Sequence, residues 1–109
     1  MTPGEVPGEL IASRITAWPD GTVAEVVLNE RTAAYARWHS GGAWGAWHFI
    51  ADGVTDISVC AGSSGEEPAA LVSVVRFVPL PLGGIAAHHV SRTSAFYRLS
   101  ASGVVPSDL

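Results

Sequence analysis

The sequence contains no lysine. All 6 of its basic residues are arginines: Arg14, Arg31, Arg37, Arg76, Arg92 and Arg98. They are scattered along the chain and outnumbered by 10 acids, which leaves a net charge of −4. No basic cluster is available to track a phosphate backbone, so the sequence argues against a nucleic-acid partner. Charge of either sign is scarce, at 15% against 48% apolar residues. Such a chain is too apolar for extended disorder. The single cysteine, Cys60, excludes an intramolecular disulfide and a thiolate metal cluster. Within Ile57–Cys60 it reads as a small, partly buried hydrophobe. No apolar run is long enough for a membrane span, and Phe77 to Val90 is broken by Pro79, Pro81, Gly83 and Gly84. No membrane partner is expected. Glu5 and Glu9 stand where a secretory leader would need basic and apolar residues, which points to a cytoplasmic location. There is no Gly-x-Ser-x-Gly elbow, and Gly62-Ser63-Ser64-Gly65 lacks the lysine of a phosphate-binding loop.

What the chain does have is short alternating segments between glycine-rich turns. Its 109 residues suit one domain. Residues 1–9, with Pro3, Gly4, Pro7 and Gly8, read as a flexible arm; residues 10–105 form a single β-rich domain, and 106–109 a tail. Residues 10–17 make a strand with Ile11 and Ile15 on one face and a wet side at Ala12, Arg14 and Thr16. Trp18-Pro19-Asp20-Gly21 is a turn, and 22–28 form a partner strand carrying Ala24, Val26 and Leu28 together. Residues 29–40 admit a helix capped by Asn29, but their aromatics favour a loop followed by a strand with Tyr35, Arg37 and Trp38. Ser64 and Glu67 have capping-box spacing, so a short helix or turn around Ala69–Leu71 feeds a strand from Val72 to Val78. A last segment from Ala87 to Ser100 places Tyr97 and Leu99 on one face, with Phe96 and Arg98 opposite. The expected fold is mainly β: a small antiparallel sandwich or barrel with Gly-rich turns. An α+β layout with one or two short helices is the alternative.

The densest feature is Tyr35-Ala36-Arg37-Trp38-His39-Ser40-Gly41-Gly42-Ala43-Trp44-Gly45-Ala46-Trp47. It holds Trp38, Trp44 and Trp47, three of the 4 tryptophans. Antiparallel strands about Ser40–Gly42 bring Trp38 near Trp44. Large rings with a polar edge stack on sugars and anchor protein interfaces. Tyr35, Arg37, Trp38, Trp44 and His48 are therefore the candidate binding residues. Period two sends Trp44 and Trp47 to opposite faces. Trp47 is then the buried ring beside Phe49, and Trp44 the exposed one beside His48.

This segment resembles a motif repeated in bacteriophage tail fibres and receptor-binding appendages. There an aromatic-x-Arg strand precedes a glycine turn and Trp-x-x-Trp, matched here by Tyr35, Arg37, Gly41, Gly42, Trp44 and Trp47. It is also similar to single blades of sugar-binding β-propellers, although no internal repeat accompanies it. The resemblance covers residues 22–53. It implies a virion-associated assembly or receptor-binding role and a trimeric state.

The histidines are His39, His48, His88 and His89. His39 and His48 can face each other across the turn, with His88 approaching from another strand. Pro81-x-Gly83 followed by His88 resembles the second motif of cupins, but the first, His-x-His with a downstream Glu, is missing. No metal and no cofactor are expected. Asp52 and Asp56 flank a turn, Glu66 and Glu67 lie in a loop, and Glu25 is placed to pair with Arg14. The leading expectation is a noncatalytic binding or assembly module recognising a glycan or protein through exposed aromatics. A homo-oligomer is expected because apolar strands leave vulnerable edges. The alternatives are a small β-barrel enzyme (an isomerase, a cyclase or a cupin-like metal enzyme) and an immunity or inhibitor protein using acidic residues.

Overall fold

The computed structural model describes residues 6–79 and 90–107. All regular structure among them is β, in two antiparallel sheets. Sheet A comprises β1 (Leu10–Ala17), β2 (Val23–Asn29), β3 (Ala34–Ser40), β4 (Ala43–Trp44) and β5 (His48–Ala51). Its order is β1-β2-β3-β4, with β5 also paired to β3. Sheet B is a meander of β6 (Val54–Ser64), β7 (Glu67–Pro79), β8 (Val90–Ser100) and β9 (Gly103–Ser107). No helix among the described residues is long and apolar enough to cross a membrane.

The sandwich follows from the inward alternation of both sheets. Ala24, Val26 and Leu28 of β2 and Ala34, Ala36 and Trp38 of β3 face Ile57 of β6, Val72 and Val74 of β7, and Leu99 of β8. These residues are all buried, and small side chains in sheet A leave room for the branched ones of sheet B. Trp18 clamps the two layers at one end. Its indole Nε1 donates to Gly62 O at 3.0 Å, and its ring packs 5.2 Å from that of Trp38.

The turn between β2 and β3 is organised by one buried amide. Asn29 Oδ1 accepts from the backbone N–H groups of Arg31 and Ala33 at 3.0 and 2.9 Å. Its Nδ2 donates to Pro7 O at 2.7 Å. Thr32 takes the left-handed conformation (φ 61°) that closes the turn. Residues 7–9 of the expected arm are thus tied to the domain, Glu30 N also donating to Glu9 O at 2.7 Å.

Several expectations change. Within residues 29–40 a turn is followed by the strand Ala34–Ser40, not by a helix. Ala69–Leu71 lie within β7, because Ser64 to Glu67 closes a hairpin through Gly65 (φ 65°) and Ser64 does not cap a helix. In β1 the wet side is the reverse of the one expected. Ala12, Arg14 and Thr16 stand opposite Leu28, Val26 and Ala24, so Ile15 opposes Glu25 on the outer face and is 60% exposed. The apolar set of β2 fixes that register. The last strand, β9, runs to Ser107, past the expected boundary at 105. Cys60 is exposed on the outer face of sheet B, opposite Leu71. His88, His89, Pro81 and the Gly83–Gly84 bend lie outside the described residues.

Candidate functional site

The outer face of sheet A is built around Arg37. Glu25 lies directly across from it in the β2–β3 ladder, and Arg37 Nε donates to Glu25 Oε1 at 2.8 Å. The opposite oxygen, Oε2, accepts from Ser13 Oγ at 3.2 Å. Both partners are partly buried, so the pair is screened less than a surface ion pair. Arg14 is not the partner of Glu25. It opposes Val26, on the other face of the sheet, and its guanidinium donates instead to Ser13 O.

Two indoles share the Arg37 guanidinium. Its central carbon lies 3.9 Å from the Trp44 ring centroid and 4.4 Å from that of Trp47. Cation–π attraction of this kind contributes about 0.5–2 kcal/mol per contact, depending on desolvation. Trp44 and Trp47 therefore flank one group and do not occupy opposite faces. The ladder is interrupted: β4 ends at Trp44, Gly45 N donates to Trp38 O at 2.8 Å, and β5 begins at His48. A Cβ at Gly45 would sit 3.4 Å from Trp38 O, within ordinary contact distance. The break shifts the alternation by one residue. Trp44 opposes His39 and Phe49 opposes Tyr35, all on the outer face.

The same face carries a second aromatic pair and an apolar fringe. Tyr35 and Phe49 meet edge to face at 5.6 Å. Phe49 is 57% exposed, Trp44 42%, and Leu10 and Ile15 of β1 are exposed as well. Trp47 is half-buried, and with Val6, Leu10 and Arg37 it lines a shallow depression of about 330 Å³. Phe49, expected to bury Trp47, is the more open of the two. His39 sets its ring edge-on to Trp44 at 5.0 Å, and its buried Nδ1 has no hydrogen-bond partner among the described residues.

The remaining candidates lie elsewhere. Trp38 is a core ring, 8% exposed, packed on Trp18 and pointing away from Trp44. Its edge borders an open groove at the end of the sandwich, lined also by Ser40, Ser100 and Ala101 and, on one side, by Trp44, so Trp38, Trp44 and His48 all meet this groove although Trp44 lies on the outer face. His48 borders the same groove. It opposes Ala36, so it sits on the side of sheet A opposite His39, and the two imidazoles do not converge. Asp20 lines the groove's other end, where Thr22 N donates to its Oδ1 at 2.9 Å. That bond holds the carboxyl below its ordinary value of 3.8. Asp52 lies 3.5 Å from Arg76, whereas Asp56 accepts from the N–H of Ile57. Among the described residues no three His, Cys, Asp or Glu side chains are grouped to hold a metal ion.

Sequence reasoning located Tyr35, Arg37 and Trp44 but missed Glu25, Trp47 and Phe49 as members of the same face. The available signal for Glu25 was its odd-numbered place beside Val23 and Val27, opposite the apolar set of its strand. Comparison of the chain with family models, curated proteins and solved structures gives no match.

Proposed function

We propose that the chain is a noncatalytic binding module that engages a partner protein through the outer face of sheet A. The observation that carries this reading is the Arg37 stack: an arginine neutralised by Glu25 and held between Trp44 and Trp47, with exposed Phe49 beside it. Tryptophan, tyrosine and arginine are the residues that anchor protein interfaces. Here they are ordered before any partner arrives, which lowers the entropic cost of docking. The exposed fringe of Leu10 and Ile15 extends the apolar area beyond the rings. The tail-fibre resemblance of residues 22–53 supports an assembly or receptor-binding role for such a face.

A glycan is the second reading, favoured by the exposure of Trp44 and Phe49. Arg37 occupies one face of each indole and leaves a single face for a sugar, whereas the exposed fringe of Leu10 and Ile15 suits an apolar protein surface. The protein reading is therefore preferred. A photo-crosslinking residue at Phe49 should trap one identifiable protein from source-cell extract, whereas the same probe at Val105 on sheet B should trap none. Trp44→Ala should abolish the adduct. Equal labelling from both positions sinks the proposal. Glycan-array binding that Trp44→Ala removes would replace it with the sugar reading.

A further inference from the structure

β1 is one of the two edges of sheet A and is unpaired on its outer side among the described residues, and its backbone has a definite polarity. Trp18 N donates to Thr22 O, and Glu30 N to Glu9 O, at the two ends of the β1–β2 ladder. An irregularity between Leu10 and Ala12 shifts the phase once. Ala12, Arg14 and Thr16 then bond to β2, while Ser13, Ile15 and Ala17 direct their N–H and C=O groups outward. The Arg14 side chain confirms this direction, because it reaches Ser13 O at 2.9 Å from the open side. Natural edges are protected by lysine, proline or short length. This one has 8 residues with Arg14 as its sole charge, and Ile11 and Ile15 are 62% and 60% exposed.

We propose that β1 pairs with β1 of a second copy, antiparallel, about a two-fold axis through Ile15. That register is the one the edge groups select. Ser13 meets Ala17 of the other copy, Ile15 meets its own equivalent, and each outward N–H finds a carbonyl. The side chains agree. Ile15 packs on Ile15 across the axis on the outer face, removing an exposed apolar group from water. Arg14 stands opposite Thr16, so no like charges oppose each other. The two A sheets become one continuous sheet, and Arg14 gives up Ser13 O to the incoming Ala17 N–H. The pairing uses the backbone and side chains of β1; it shares Ile15 with the fringe of the aromatic face but does not depend on that reading.

The test is light scattering from micromolar to millimolar concentration, joined to disulfide trapping in a Cys60→Ser background. The wild type should dimerise reversibly. Ser13→Pro removes an outward N–H and spares the backbone ladder to β2, and should raise the dissociation constant roughly tenfold or more; Ser13→Ala, which removes only the Oγ bond to Glu25, is its control and should leave that constant unchanged. Circular dichroism and indole fluorescence verify the fold of the proline variant. Ile15→Lys places two cations across the axis and should have the same effect if the proline variant is unfolded. Ile15→Cys should crosslink readily, because paired Cα atoms at such a position lie about 5.5 Å apart. Ser13→Cys should not, because its own equivalent lies further along the strand. A monomer at millimolar concentration overturns the proposal. So does a dimer that survives both Ser13→Pro and Ile15→Lys, or equal crosslinking at Ser13 and Ile15.

Discussion

The outer faces of the two sheets are made from the same alternation yet differ in character. On sheet B, β6 to β9 turn out Ser58, Cys60, Ser73, Arg92, Ser94 and Arg98 among Leu71, Val75, Phe77, Phe96 and Val105, of which Phe77 and Val105 are exposed. On sheet A, the outward positions are Val27, Tyr35, Arg37, Trp44 and Phe49. Val27 is fully buried although it points away from the sandwich core. Sheet A therefore has covered apolar positions on both sides. A half-buried antiparallel sheet needs only one apolar face. Sheet B turns apolar groups outward too, with Arg92 over Phe77 at 5.9 Å, but sheet A gathers two indoles about one partly buried ion pair, which is why function is sought there.

The largest expected effect separates core from face within sheet A. Trp38→Ala should destabilise the protein by about 3–5 kcal/mol, because it empties the space between the sheets and strips Trp18 of its neighbour. Trp44→Ala should cost only about 0.5–1.5 kcal/mol, the loss of one partly exposed cation–π contact. Denaturant unfolding of both variants decides the matter; equal losses would make the outer stack a second core. Next comes Asn29→Ala, expected to cost about 2–3 kcal/mol, since two backbone donors of the turn and the Pro7 carbonyl lose their partner. Thermal unfolding measures it, and a loss indistinguishable from zero would show that the turn holds without the amide.

Val27→Ala and Cys60→Ser test the two outer faces directly. Val27→Ala should cost about 1–2.5 kcal/mol, as burial of its methyl groups requires. Cys60→Ser should stay within about 0.5 kcal/mol, as for other exposed substitutions. The Cys60 thiol should react with a disulfide reagent in the native state; protection would mean that sheet B is covered too. The smallest effect concerns Asp20. Its folded carboxyl titrates below 3.8, because ionisation strengthens the bond from Thr22 N–H. The stabilisation is therefore complete above the unfolded value and lost as pH falls through the folded one. Carbon-detected titration should find a midpoint below 3.8, and Thr22→Pro, which removes the donor, should bring it back up.

Much of the fold was legible in the sequence. The β1–β2 hairpin announced itself through Pro19-Asp20-Gly21 and the alternation of Ala24, Val26 and Leu28. The all-β sandwich followed from the repeated glycine turns. Legibility failed where one residue changed the phase. The chain leaves the ladder at Gly45, so counting by twos from Trp44 assigned Trp47 and Phe49 to the wrong side. It failed again in β1, where the isoleucines looked like the core face. Residues 10–17 alone do not reveal that β2 sets the register through its own buried set. The partner of Glu25 was misjudged for the same reason. A strand's charged residue chooses among neighbours only after the register is known, and in this register Arg37, not Arg14, lies across from it.

The Trp18 indole has a consequence for how this molecule comes apart. Its Nε1 proton is donated across the layers to Gly62 O, whereas every ladder bond lies within one sheet. Parting of the layers at this end breaks that bond, whereas fraying of a strand that carries neither group, such as β9, leaves it in place. The chemical shift of this indole proton therefore reports contact between the layers at the Trp18 end, as the Val54 amide, which donates to Thr32 O at 2.9 Å, reports it at the other.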